Sequence, residues 1–194
     1  MKTDIILAGV GGQGILSIAA VLGEAAVADS LYLKQAEVHG MSQRGGDVQS
    51  NLRLSSQPIA SDLIPYGNAD LIISLEPMEA LRYLPWLSEK GTVVTNSAPF
   101  ININPYPEPR QLEDAYAGLP NKVVIDAEKI AKEVTGTVRT ANMVMLGAAS
   151  SFIDIEYPTI QNAVKSIFAR KGEEIINLNL KALEAGRRVA LESK

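Results

Sequence analysis

Six residues near the amino terminus, Gly9-Val10-Gly11-Gly12-Gln13-Gly14, constrain this chain more than any other segment. They end a short apolar run, Asp4 to Gly9, that reads as a buried strand. They open a helical pattern over residues 13–28, with Ile15, Ile18, Ala19, Leu22, Ala25 and Ala26 on one face. A strand that enters a glycine turn and leaves as a helix is the first half of a parallel crossover unit. The turn also has chemical consequences. Small residues let a phosphate reach backbone N–H groups, and the helix dipole favours the anion. Gly9, Gly11, Gly12, Gln13 and Gly14 are therefore candidate ligand-binding positions. The alternative is a tight turn made for close packing alone.

The alternation continues along the chain. Ser30 to Gln35, Asp70 to Leu75, Gly91 to Asn96 and Lys122 to Asp126 read as strands. Glu76-Pro77 starts a helix through Trp86, with proline at an early position. Asp47 to Leu54 is different: Val48, Leu52 and Leu54 alternate with Gln49, Asn51 and Arg53, and Ser50 is the polar exception among inward positions. That period of two indicates a strand with one wet face, added antiparallel at an edge. Residues 97–110 carry Pro99, Pro105, Pro107 and Pro109 and read as an extended connection. The last third is helical over 142–152, 159–170 and 173–191, with Gly172 as the break. The expected fold is α/β: an open, mostly parallel, three-layer Rossmann-like sheet with an antiparallel edge strand and a helical C-terminal third, in a single domain over residues 1–194.

Composition narrows the chemistry. The chain has 194 residues, no cysteine and one histidine. Without cysteine it has no thiolate nucleophile, disulfide, cysteine-ligated iron–sulfur cluster or cysteine–zinc site of its own. One histidine excludes a multi-histidine metal site and argues against a histidine-based triad. A net charge of −4 argues against nucleic acid as the main partner. The apolar stretch from Ile15 to Ala28 falls short of the ~20 residues of a membrane span and contains Ser17 and Glu24. No targeting segment is visible, so a cytoplasmic protein is expected. Any redox group it works with must be borrowed.

A second cluster, His39-Gly40-Met41-Ser42-Gln43-Arg44-Gly45-Gly46, joins two of these strands. Arg44 offers a planar fork for an oxyanion or carboxylate, and Ser42 and Gln43 add hydrogen-bonding groups. Gly45 and Gly46 allow backbone conformations closed to other residues. The same loop could equally meet a partner subunit, with Arg44 paired to Glu37 or Asp47. Ser74, Glu76, Asn96 and Ser97 follow strand ends, where ligands of parallel sheets bind, although helix capping is the better reading for Glu76 and Ser97. Thr140 or Asn142 would cap a helix, contact a ligand, or do both. Tyr83, Trp86 and the prolines near Tyr106 have an interface-like composition. A dinucleotide enzyme would also need an acid about 20 residues beyond the glycines for the ribose. Glu37 comes late and Asp29 falls in a turn. A partner-dependent subunit, a free-standing NAD(P)-binding enzyme and a purely structural adaptor all remain open on these residues.

The segments 6–14, Glu37 to Gly46 with Val48 and Ser50, Asp70 to Leu84 and Asn142 to Ala148 together resemble the gamma subunit or domain of 2-oxoacid:acceptor oxidoreductases. The likeness covers essentially the whole chain, and its later segments are most similar to the beta-subunit branch that acts on indolepyruvate. The resemblance implies an accessory subunit, inert alone, of a coenzyme-A-dependent enzyme that converts aryl pyruvates to aryl-acetyl-CoA. The large alpha subunit would carry thiamine diphosphate and [4Fe–4S] clusters and pass electrons to ferredoxin. This chain would help to bind or admit coenzyme A through its glycine turn and Arg44. Relatives acting on pyruvate or 2-oxoglutarate share the first two motifs.

Overall fold

The strand before the glycine turn, β1 (Lys2–Val10), lies inside a six-stranded sheet, and eight of its nine residues are buried. The computed structural model describes residues 1–40, 45–101 and 104–192. Among these, β2 (Tyr32–His39), β3 (Asp47–Ser55), β4 (Ala69–Ser74), β5 (Leu87–Asn96) and β6 (Lys122–Ile125) complete the sheet in the order β2-β3-β1-β4-β5-β6. Strands β1, β4, β5 and β6 are parallel, whereas β3 runs antiparallel to both β1 and β2. β1 pairs with β3 over its full length, Leu7 opposite Ser50, and with β4 from Ile5↔Leu71 to Ala8↔Ser74.

Seven helices among the described residues cover the faces: α1 (Ile15–Ala28), α2 (Pro77–Arg82), α3 (Pro109–Ala117), α4 (Ala127–Thr135), α5 (Ala141–Ala149), α6 (Tyr157–Phe168) and α7 (Glu173–Glu192). Alternate residues of β1 divide two cores. Ile5 and Leu7 pack with α1 and α4–α7, while Ile6 and Ala8 pack with Ala80, Tyr83 and Tyr116 of the α2/α3 side. The mostly parallel, three-layer sheet with a helical C-terminal third matches the expectation from sequence.

Four local expectations are corrected. β3 is antiparallel as its period of two implies, but it lies between β2 and β1, so the β2–β3 hairpin forms the edge. Its polar face is not wet. Asn51 is buried and accepts the Ile64 N–H at 3.2 Å; Arg53 grips the buried Asp4 carboxylate at 2.8 and 2.9 Å and donates to the Ser61 and Leu63 carbonyls. Those polar side chains anchor the segment that covers them. The helix after Glu76 ends at Arg82, because Pro85 stops its continuation and a short 3-10 turn follows. Two nine-residue helices, α3 and α4, occupy stretches that carry no helical expectation. Pro109 opens α3, and the Asp126 carboxylate caps α4 by accepting the Lys129 N–H at 2.9 Å.

The C-terminal helices pack backbone to backbone. A Cβ on Gly147 of α5 would fall 1.9 Å from the Leu183 carbonyl oxygen of α7, and one on Gly186 of α7 would fall 1.9 Å from the Val144 carbonyl oxygen of α5. Neither obstacle is a side chain that can turn away. Gly147→Ala and Gly186→Ala should therefore each destabilise the chain by about 3 kcal/mol or more in urea unfolding, at the upper end of overpacking costs. Because both push the same pair of helices apart, the double variant should lose less than the sum. A loss under about 1 kcal/mol in either single variant would mean that the helices do not meet this closely.

Candidate functional site

The helices that follow neighbouring strands β1 and β4 leave to opposite faces of the sheet, α1 to one core and α2 to the other. That is a switch point, where open α/β sheets form a ligand crevice at the carboxyl ends of the strands. The glycine turn and Leu75-Glu76 flank it. Gln13 ties the two sides together: its Oε1 accepts the Val10 N–H at 2.8 Å, and its Nε2 donates to the Leu75 carbonyl at 3.1 Å. Asn96 extends the tie, donating to the same carbonyl at 3.3 Å and accepting the Ala127 N–H at 2.9 Å.

The two glycine clusters of the sequence meet here. Gly11 N–H donates to the Gly46 carbonyl at 2.8 Å, and Gly45 N–H reaches the Gly11 carbonyl at 3.4 Å. Ser42, Gln43 and Arg44 lie outside the described residues. Asn142, at the start of α5, donates from Nδ2 to the Gly14 carbonyl at 3.3 Å. The backbone at Gly14 is left-handed (φ 90°), and a Cβ there would lie 2.6 Å from Asn142 Nδ2. Gly12 also has positive φ, 104°, yet open space where a Cβ would be. One glycine is required by a neighbour; the other leaves backbone open to a visitor.

Gly12, Gln13, Gly14 and Asn142 line a cavity of about 810 Å³ that extends past Ser17 and Asn96 to Arg139, Lys171 and Asn179. Among the described residues, the N–H groups of Gly12, Gly14, Ile15 and Leu16 meet no protein acceptor, whereas Ser17 N–H already bonds to the Gly14 carbonyl. Unsatisfied donors at the start of a 14-residue helix attract an anion. Gly9 is buried behind the turn, where a Cβ would meet Gln13 Oε1 and Ile15 Cδ1 at 2.9 Å each. Gly9, Gly11, Gly45 and Gly46 thus shape the turn, while Gly12 and Gly14 face the cavity.

A family model described as pyruvate ferredoxin/flavodoxin oxidoreductase matches residues 4–189. The chain belongs to this family. It is 34% identical to indolepyruvate oxidoreductase subunit IorB of Methanothermobacter thermautotrophicus, with all of both chains covered. The gamma subunit of keto/oxoacid ferredoxin oxidoreductase from Geobacter sulfurreducens PCA superposes with a TM-score of 0.71 at 25% identity, over 98% of this chain and 99% of its own. A longer polypeptide, 2-oxoglutarate:ferredoxin oxidoreductase from Magnetococcus marinus, gives a TM-score of 0.77 at 22% identity. The alignment covers 98% of this chain but 31% of that one, whose structure contains 2-oxoglutarate, coenzyme A and succinyl-CoA.

Among the described residues, the dinucleotide reading finds no ribose acid at the turn. Glu37 is exposed on β2, with β3 between it and β1, and Asp29 follows the far end of α1, where it accepts from Thr159 at 3.3 Å. Neither lines the cavity. Two of the strand-end candidates are structural: Glu76 is fully buried and caps α2, accepting Glu79 N–H at 2.8 Å, Phe100 N–H at 3.4 Å and the Tyr106 hydroxyl. Ser74 Oγ donates to the Glu76 carbonyl at 2.6 Å. Thr140 precedes α5 without capping it and bonds instead to Thr135 Oγ1 at 3.0 Å. The aromatic region divides, since Trp86 packs on Tyr66 and Tyr83 while Tyr106 serves Glu76. Burial pushes the Tyr83 phenol up to about 12 and raises those of Tyr106 and Tyr116, away from physiological proton transfer. Among the described residues no acidic or histidine cluster is arranged to hold a metal, and no helix is long and apolar enough to cross a membrane.

Sequence reasoning found the glycines but not the role of Gln13, which positions the turn through its amide. Gln13→Ala would leave the buried Val10 N–H without its acceptor and remove one donor from Leu75. A loss of about 1–3 kcal/mol is expected in urea unfolding, with the far-ultraviolet circular dichroism of the folded state retained. No measurable loss would show that the clip does not hold the turn.

Proposed function

We propose that this chain is the accessory subunit of an indolepyruvate:ferredoxin oxidoreductase and that its own task is to hold coenzyme A beside the large alpha subunit. Full-length identity to an indolepyruvate oxidoreductase subunit carries the first part. The cavity at the glycine turn, with open donors and open space at Gly12, carries the second.

The residues present suit the diphosphate of coenzyme A. Gly12 and Gly14 supply neutral N–H donors, the start of α1 adds a favourable dipole, and among the described residues nothing lies within 4 Å of where a Cβ on Gly12 would be. Gln13 and Asn142 keep that backbone in place. Arg44, with Ser42 and Gln43, would add charge and hydrogen-bonding groups for the ligand, and Gly45 and Gly46, which follow them in the chain, are bonded to Gly11. When bound, coenzyme A supplies the thiol that accepts the acyl group. Decarboxylation and electron transfer fall to the alpha subunit, which would hold thiamine diphosphate and [4Fe–4S] clusters and meet ferredoxin. A chain without cysteine, and with raised phenol pKa values around its strand ends, fits a binding role within such a cytoplasmic complex.

Two substitutions at one position separate charge from shape. In the complete oxidoreductase, Gly12→Asp should raise the KM for coenzyme A at least tenfold by setting a carboxylate among the phosphate donors, which is a loss of about 1.4 kcal/mol or more. Gly12→Ala should cost only the strain of its positive φ and stay within about threefold. Arg44→Ala should also raise that KM, and the KM for the 2-oxoacid should not move. Unchanged coenzyme A kinetics in Gly12→Asp and Arg44→Ala would leave this chain an interface role alone. Dye reduction should be faster with indolepyruvate than with pyruvate or 2-oxoglutarate; the reverse order would reassign the substrate. Purification as a stable monomer without an iron-containing partner would overturn the accessory-subunit reading.

A further inference from the structure

A second part of the cavity lining comes from two connections, 136–140 between α4 and α5 and 169–172 between α6 and α7. It carries two cations, Arg139 and Lys171. Both are exposed, and among the described residues neither makes an ion pair or a side-chain hydrogen bond. The backbone of one and the side chain of the other are held locally. Arg139 N–H donates to Thr137 Oγ1 at 3.2 Å, and Lys171 Nζ lies 5.2 Å from the ring centroid of Phe168, itself a buried lining residue. Among the described residues Glu128 is the one acid in the lining, and it pairs with neither cation.

The two parts of the lining differ in the charge they suit. Backbone donors at the turn are neutral and match phosphates that carry one negative charge each. Two full positive charges in the lining match a group of higher charge, since a guanidinium fork and an ammonium both suit the oxygens of a phosphate monoester. Coenzyme A has both kinds of group: a diphosphate, and a ribose 3′-phosphate whose charge approaches −2 at neutral pH because its second pKa is about 6. We infer that Arg139 and Lys171 bind the ribose 3′-phosphate and make this subunit discriminate coenzyme A from 3′-dephospho-coenzyme A. The inference rests on the coenzyme A reading given above and adds the residues that recognise the nucleotide end.

The test is the KM of the complete oxidoreductase for both thiols, in the native enzyme, Gly12→Asp and the double variant Arg139→Ala/Lys171→Ala. In the native enzyme coenzyme A should have the lower KM. The double variant should raise the KM for coenzyme A about tenfold or more and that for dephospho-coenzyme A less than twofold, so that the two converge, with kcat at saturating thiol unchanged. A merely structural defect would weaken both thiols together or lower kcat, and either result overturns the assignment. A native enzyme that does not distinguish the thiols also overturns it. If Gly12→Asp weakens coenzyme A while the double variant keeps full discrimination, the coenzyme A site stands and the 3′-phosphate assignment falls. If neither variant changes the KM for either thiol, the coenzyme A reading falls with it.

Discussion

Two primary amides run across the carboxyl edge of the sheet, and the site depends on them. Gln13 joins the end of β1 to the Leu75 carbonyl after β4; Asn96, at the end of β5, donates to that carbonyl and accepts the Ala127 N–H at the start of α4. Val10, Leu75 and Ala127 are buried, so each backbone group served would otherwise sit in the core without a partner, at a cost of about 1–3 kcal/mol apiece. The chain of amides holds β1, β4, β5 and α4 in one rim. A glycine turn supported in this way can expose N–H groups without collapsing onto them. Flexibility at Gly12 and Gly14 is therefore local, bounded by a glutamine from within the same motif.

Strand order decides what the turn can bind. In a dinucleotide-binding sheet the second strand lies beside the first and presents its ribose acid next to the glycines. Here antiparallel β3 takes that place and moves β2 one strand further out, about 10 Å from β1 at ordinary strand spacing. Glu37 is carried away with it. In exchange, the β2–β3 hairpin delivers Gly45 and Gly46 to Gly11, so a second loop replaces the acid as the neighbour of the turn. A literal G-x-G-x-x-G thus serves a different site because one strand has been inserted.

Much of this was legible in the sequence. Continuous apolar runs marked β1 and β4, a helical stripe marked α1, and a period of two marked β3 as antiparallel. The position of β3 was not legible, because alternation reports a strand's faces and says nothing of its neighbours. The polar residues of β3 misled for a related reason: Asn51 and Arg53 look like a solvated face, yet they hold Ile64 and Asp4 under a covering segment. α3 and α4 escaped because each is nine residues long and rich in charge, so that their capping residues, Glu108-Pro109 and Asp126, were the available signal. At the site, the glycines declared themselves by motif. Arg139 and Lys171 did not, since they come from separate connections that only the packing of α4 to α7 brings to one cavity.

That packing extends the site into parts of the chain remote from the glycine turn. Asn142 lines the cavity and lies five residues before Gly147, about 7.5 Å along α5. Asn179 and Ile175 line it from α7, which meets α5 through Gly186. With backbone against backbone there is no side chain to absorb a displacement, so the two helices shift together or not at all. The Asn142 contact to Gly14 then transmits the position of α5 to the turn itself. Side-chain packing at that crossing would allow gradual adjustment; a glycine contact keeps α5 and α7, and with them Asn142 and Asn179, in close register.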